Sequence, residues 1–231
     1  MKTIIYVHPW EGSFNHAILE NVKKKFDQKH EDYQVIDLYK DQFNPTFSAE
    51  ELSMFNAGDT PYLKVKEYQK MIKDSSDLVF IFPIWWFYLP GILKGFFDKV
   101  MLKKFAYQVD EQGTWTGLLT NIKKVTVITT ASMTKEILKA SGDPIQGLFI
   151  NGTLGSVGIT PDKVNWLHFG NVETASPEEH TAFLEKILDY YLITIGYLFN
   201  FNSFSKLIIS MTPLAHSIPL LPDLPPALSK A

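Results

Sequence analysis

The sequence predicts an α/β protein, a parallel β-sheet wound with helices on both faces, and three observations carry that prediction. Short apolar runs of strand length recur along the chain, among them Thr3 to Val7, Asp77 to Phe82 and Val125 to Thr129. Runs apolar at nearly every position belong to strands buried on both faces. Segments with helical spacing lie between them, so strand and helix alternate, as a parallel sheet requires. The 231 residues suffice for one large domain or one domain with an appendage.

In order, Thr3 to Val7 is the first strand and ends at His8-Pro9. Gly12-Ser13 break the chain. Phe14, Ala17, Ile18, Val22 and Phe26 then mark a helix from Asn15 to about Lys29, N-capped by Ser13 or Asn15. Tyr33 to Tyr39 fits a second strand. Lys40 to Pro61 is polar and punctuated by Asn44-Pro45 and Gly58-Asp59, a long connection with or without one short helix. Long connections in compact domains often carry function. Lys64 to Lys73 reads as a helix and Asp77 to Phe82 as the third strand, running into Pro83 to Pro90. Ile92, Leu93, Phe96, Phe97, Val100 and Met101 define the next helix, with Gly91 in its first turn. Phe105 to Trp115 is a hairpin-like excursion turning at Gly113, and Val125 to Thr129 is the fourth strand. Asp143 to about Leu154 reads as a helix opened by Pro144, and Thr160 to Phe169 as the fifth strand. The last helix runs from Pro177 to about Tyr197, with Ser176 and Glu179 as its capping box.

Composition removes several function classes. With no cysteine, disulfides, thiolate metal sites and thiol nucleophiles are excluded. All 22 basic residues are lysines. Without arginine, a phosphate site must rely on backbone amides, hydroxyls, helix ends and lysine. A net charge of −3 argues against a nucleic-acid binder. The N-terminus lacks a signal peptide's apolar region, and no run reaches the roughly 18 apolar residues of a membrane span, so a soluble cytoplasmic protein is expected. The histidines show no ligand spacing, so no metal is expected.

Ligands of such sheets bind beyond the carboxyl ends of the strands, and three segments stand there. In His8 to Asn15, Gly12 allows a tight turn, Ser13 and Asn15 can donate to phosphate oxygens, and the helix start offers amides and a positive dipole end. A plain capped loop is the alternative reading. Trp85, Trp86, Phe87 and Tyr88 follow Pro83-Ile84; four adjacent aromatics can bury a planar heterocycle or simply cap the core. Thr129-Thr130-Ala131-Ser132 presents hydroxyls and amides at a third strand end. The 14% aromatic content thus concentrates where a ring would bind.

Together the Ser13-Phe14-Asn15 loop, the segment FPIWWFYLPGILKGFFDKV and the strand ending ITTAS resemble the NAD(P)H:quinone oxidoreductases of the flavodoxin-like fold, over roughly residues 1–197. The resemblance implies a five-stranded sheet of order 2-1-3-4-5. It also implies a flavin, FAD or alternatively FMN, that takes hydride from NAD(P)H and passes electrons to a quinone-like acceptor in ping-pong fashion. Carried over by motif, His8, Ser13, Phe14 and Asn15 would hold the ribityl phosphate or pyrophosphate. Pro83, Ile84, Trp85, Trp86 and Phe87 would flank the ring, and Thr129, Thr130 and Ala131 would meet its polar edge. Tyr107, with Trp86 and Phe87, would line the substrate pocket. A homodimer is implied, with Tyr107 or the excursion around Trp115 reaching across. The chain departs from the mammalian-type pattern at Ala131-Ser132, where that pattern has Gly-Gly, and at Thr134 and Ser141, near its Tyr and His.

Residues 198–231 differ: no charge falls between Lys206 and Asp223, and prolines recur at 213, 219, 222, 225 and 226. This reads as an extended apolar tail that packs on the domain or on a partner, or as an artefact. The alternative function it suggests is a flavin-binding ancillary subunit resembling those that dock on potassium-efflux membrane proteins. A one-electron carrier is disfavoured, since such carriers are shorter and strongly acidic.

Overall fold

The computed structural model of the protein describes residues 1–193. Met1–Val172 forms one compact unit. Its elements are β1 (Lys2–Tyr6), α1 (Phe14–Gln28), β2 (Tyr33–Asp37), α2 (Ala49–Met54), α3 (Leu63–Lys73), β3 (Asp77–Pro83), α4 (Gly91–Val100), β4 (Tyr107–Val109), β5 (Trp115–Gly117), β6 (Lys124–Thr130), α5 (Lys135–Ala140), a π-helix (Ile145–Leu154) and β7 (Val164–Phe169). In the second unit α6 spans Pro177–Ile193. Its expected capping box is formed: Glu179 N–H donates to Ser176 Oγ at 3.2 Å, and Ser176 N–H to Glu179 Oε2 at 2.7 Å. The expected continuation to Tyr197 and the tail lie outside the described residues. No helix among the described residues is long and apolar enough to cross a membrane.

The five-stranded parallel sheet has the order β2-β1-β3-β6-β7, the expected 2-1-3-4-5 with the antiparallel β4–β5 pair inserted before its fourth strand. Side chains alternate across each strand. Ile5, Ile36, Leu78, Phe80, Phe82, Val125 and Val127 face one core, with Tyr68 of α3, Phe96 of α4 and Phe149 of the π-helix. The intervening Ile4, Tyr6, Val79, Ile81 and Ile128 are equally buried, and α1 packs across β3 and β6. Burial on both faces is why the strands read as unbroken apolar runs.

Several boundaries differ from expectation, each for a local reason. The fifth sheet strand begins at Val164 rather than Thr160, because Pro161–Lys163 forms a 3-10 turn and Pro161 has no N–H to give a ladder. The helix after Pro144 is a π-helix. Side-chain bonds span five residues there, from Gln146 Nε2 to Asn151 Oδ1 at 3.0 Å and from Thr153 Oγ1 to the Leu148 carbonyl at 3.1 Å. Its buried Ile145, Phe149, Ile150 and Leu154 match that wider spacing. Helix α5 was not expected; Thr134 caps its start and Ser141 its end.

The long connection between β2 and α3 does hold a short helix, α2, with a Ser48–Glu51 capping box. It is pinned to α4 by Lys99, which is 2% exposed. The ammonium meets Glu51 Oε1 at 2.9 Å and donates to the carbonyls of Asn44 at 2.9 Å and Thr46 at 3.0 Å. Gly95 of α4 admits the connection at close range, since a Cβ there would stand 2.3 Å from the Pro45 oxygen.

Candidate functional site

From β1 the chain turns to β2 on one side, then crosses to β3 on the other, so the switch point lies between β1 and β3. A crevice beyond the carboxyl ends is the expected binding place. Residues His8 to Asn15 follow β1 there, Pro83 to Tyr88 end β3, and Thr129 to Ser132 end β6. Topology thus brings all three sequence-predicted segments to one edge.

The first segment is a built helix start. Ser13 is the N-cap of α1, and its Oγ accepts from the His16 N–H at 3.1 Å, leaving its own proton for another acceptor. Gly12 does not have a positive φ; its role is close approach, because a Cβ would stand 2.5 Å from the Trp10 ring. Trp10 N–H donates to His8 Nδ1 at 3.2 Å, and burial holds His8 below its ordinary value, so this imidazole is neutral at pH 7. Burial also pushes the Tyr6 phenol up to about 12, keeping it protonated across the working range. Phe14 packs on Phe169 with ring centroids 4.9 Å apart.

Asn15 joins two of the segments. It is 4% exposed, and its Nδ2 donates to Thr130 Oγ1 at 2.8 Å. Its Oδ1 is buried without a hydrogen-bond partner. A buried acceptor left open costs free energy unless something donates to it, and natural proteins keep few. At a helix start already suited to anions, this points to a ligand that carries donors as well as negative charge.

Thr129 and Thr130 face opposite sides of the sheet. Thr130 meets Asn15, whereas Thr129 Oγ1 accepts from Trp166 Nε1 at 2.8 Å and lies 2.8 Å from His168 Nδ1. Ala131 N–H donates to the Phe169 carbonyl at 3.0 Å. The Thr129 hydroxyl thus links β6 to β7, and the Thr130 hydroxyl links β6 to α1. The missed partners, Trp166 and His168, are visible only once the register pairs Thr129 with His168.

The aromatic segment is a reverse turn. Trp85 and Tyr88 exchange backbone bonds, N–H to carbonyl, at 3.1 and 3.0 Å, while Trp86 and Phe87 between them have φ of 49° and 66°. Positive φ at both central positions is normally left to Gly or Asn. Here two rings are held outward instead, Trp86 at 95% exposure and Phe87 at 39%. Ile84 N–H donates to the Thr130 carbonyl at 2.8 Å and ties the turn to β6.

Tyr88 also lines a cavity of about 590 Å³ with Tyr107, Trp115, Phe47, Phe55 and Leu148. Tyr107 and Trp115 stack at 3.8 Å and 7° on the expected hairpin, whose Gly113 has a φ of 81°. Trp115 Nε1 donates to the Ser156 carbonyl at 2.6 Å. Gly117 lies against the turn after the π-helix, where a Cβ would stand 2.1 Å from the Gly158 nitrogen. Gly117→Ala is expected to push the hairpin off that turn at a cost of about 1–3 kcal/mol. Urea unfolding should show a lower midpoint; an unchanged midpoint would mean the two segments are not rigidly apposed.

Residues 2–191 match the family described as Flavodoxin-like fold. The chain is 30% identical over 184 residues to an uncharacterized NAD(P)H oxidoreductase of Haemophilus influenzae, covering 79% of this chain and 89% of that one. It is 32% identical over 120 residues to NAD(P)H dehydrogenase (quinone) 1 of Cavia porcellus, 45% of this chain and less than half, 44%, of that enzyme. Among solved structures, the NAD(P)H:quinone oxidoreductase from Methanothermobacter marburgensis superimposes with a TM-score of 0.72 at 26% identity, covering 81% of this chain and 95% of that one.

Proposed function

The chain belongs to the Flavodoxin-like fold family, among the NAD(P)H oxidoreductases, and on that premise we propose that it is a flavin-dependent NAD(P)H:quinone oxidoreductase. The observation that carries the reading is the convergence at the switch point. The buried, unpartnered Asn15 Oδ1 beside the α1 start offers an acceptor to a ribityl hydroxyl, and the helix start suits its phosphate. A bound flavin would supply the redox chemistry, hydride acceptance from NAD(P)H and electron transfer to a quinone.

The protein's part is positioning. His8, Ser13, Phe14 and Asn15 hold the phosphate end, with His8 neutral and therefore a hydrogen-bonding rather than a charged group. Pro83, Ile84 and Trp85 flank the ring. Trp86 and Phe87 form an outward lip that, with Tyr107, bounds the space for the second ring and excludes water. Thr129, Thr130 and Ala131 fix the strand end at the polar edge. No side chain acts as a nucleophile. FAD and FMN both fit this reading.

The same reading carries a homodimer. Leu148, which lines the cavity, is 62% exposed, and Trp115 is 50% exposed, so its outer wall suits a second copy. Purified protein is expected to be yellow, to release a flavin identifiable by mass, and to oxidise NADH or NADPH with menadione as acceptor. A colourless protein whose spectrum does not respond to added FAD or FMN defeats the proposal.

A further inference from the structure

The half-buried titratable group that this reading leaves unused is His168, on β7 at the carboxyl edge of the sheet. Its Nε2 lies 2.8 Å from the Met133 carbonyl, and its Nδ1 lies 2.8 Å from Thr129 Oγ1. A carbonyl only accepts, so Nε2 carries the proton. In the neutral ring Nδ1 is then the acceptor, and Thr129 donates to it. Thr129 is left to accept the Trp166 N–H, as it does at 2.8 Å. The four groups form one directed chain, Trp166 Nε1–H to Thr129 Oγ1–H to His168 Nδ1, then Nε2–H to the Met133 carbonyl. The carbonyl at its end sets the direction, and it belongs to the backbone of the loop that leaves β6.

That loop is held at further points from β7 and the residues that follow it. Ala131 N–H donates to the Phe169 carbonyl at 3.0 Å, and the Ala131 carbonyl accepts from Val172 N–H at 3.1 Å. Gly170 gives it room, since a Cβ there would stand 2.8 Å from the Met133 oxygen. Of these holds only His168 is a side chain with two alternative proton positions. With the proton on Nδ1 the ring cannot donate to Met133, and the loop loses its hold there.

We propose that His168 is a positioning residue, whose Nε2–H tautomer, set by the Met133 carbonyl and supported at Nδ1 by the Thr129 hydroxyl, fixes the Ala131–Thr134 loop in the shape that receives the polar edge of the flavin. The inference rests on the flavin reading above. Lys135 and Glu136, both from α5, are the charged groups that act on the ring. Burial, chiefly, and Lys135 hold the imidazole below its ordinary value while the bond to the Met133 carbonyl and Glu136 act the other way, so the neutral chain is the form present at pH 7.

Two readouts test it in the full chain. Imidazole ¹⁵N shifts of the flavin-free protein at pH 7 are expected to report the Nε2–H tautomer at His168. Titrating flavin-free protein with FMN and FAD, followed by fluorescence, is expected to show about tenfold weaker binding for Thr129→Val and for His168→Phe, the loss of one hydrogen bond, with wild-type affinity restored in Thr129→Ser. Thr129→Val should also move the His168 Nδ1 ¹⁵N shift, as loss of the donor to that nitrogen requires, with the proton kept on Nε2, which a purely packing role of Thr129 would not do. An Nδ1–H tautomer in the wild type overturns the proposal, as does affinity unchanged in both variants while circular dichroism shows them folded. If the wild type shows the Nε2–H tautomer yet binds neither flavin, the functional reading itself fails and this inference with it.

Discussion

Lys99→Met is expected to lower stability by about 3–5 kcal/mol, the cost of stranding the partner of a buried ion pair. The ammonium is enclosed, with Glu51 Oε1 and two carbonyls around it. Methionine fills the volume but donates nothing, so a carboxylate and two carbonyls lose their partner together. Glu51→Gln in the same chain should recover much of the loss, because a glutamine still serves the α2 capping box without a buried charge. The effect should also reach the site: the connection that Lys99 pins carries Phe47 and Phe55, which line the cavity beside Tyr107. Chemical unfolding of the single and double variants measures the first effect, and KM for the quinone the second. A single variant as stable as the wild type would show that the pair contributes no more than a surface one.

Asn15→Leu is expected to weaken flavin binding about tenfold to a hundredfold while costing little stability. The substitution removes the donor to Thr130 and also the unpartnered Oδ1, so the folded, flavin-free protein exchanges one lost hydrogen bond for relief of an unsatisfied group. Binding has no such relief, because the acceptor offered to the ligand is gone and Thr130 is free to turn. Fluorescence titration with FMN and FAD, beside a melting curve, separates the two effects. Equal affinity in variant and wild type would remove Asn15 from the site.

The fold was legible where burial acts on consecutive residues. Strands covered on both faces must be apolar throughout, and Asp77 to Phe82 and Val125 to Thr129 show it without ambiguity. Caps were legible because Ser13 and Ser176 act within three residues. The π-helix was not recognisable as such, since helical expectation counts 3.6 residues per turn and Ile145, Phe149, Ile150 and Leu154 repeat at wider spacing. Helix α5 is too short to show a period at all. At the site, segments were legible and partners were not. Loop chemistry at Ser13 to Asn15 and Trp85 to Phe87 is local. The meeting of Asn15 with Thr130, 115 positions away, and of Thr129 with His168, 39 away, depends on strand order and register. Lys99 reads as an ordinary charged helix residue until the connection folds over it.

The turn at Trp86 and Phe87 bears on how this protein could be improved or spoiled. Each of the two residues occupies a backbone region that disfavours a bulky side chain by about 1–3 kcal/mol. Glycine at either position would relieve that penalty, so a library ranked by heat resistance alone would enrich it there. The winners of such a ranking would be hardier proteins with a missing aromatic lip. Directed evolution on this scaffold therefore has to select for turnover at every round, because at these two positions durability and ring placement pull in opposite directions.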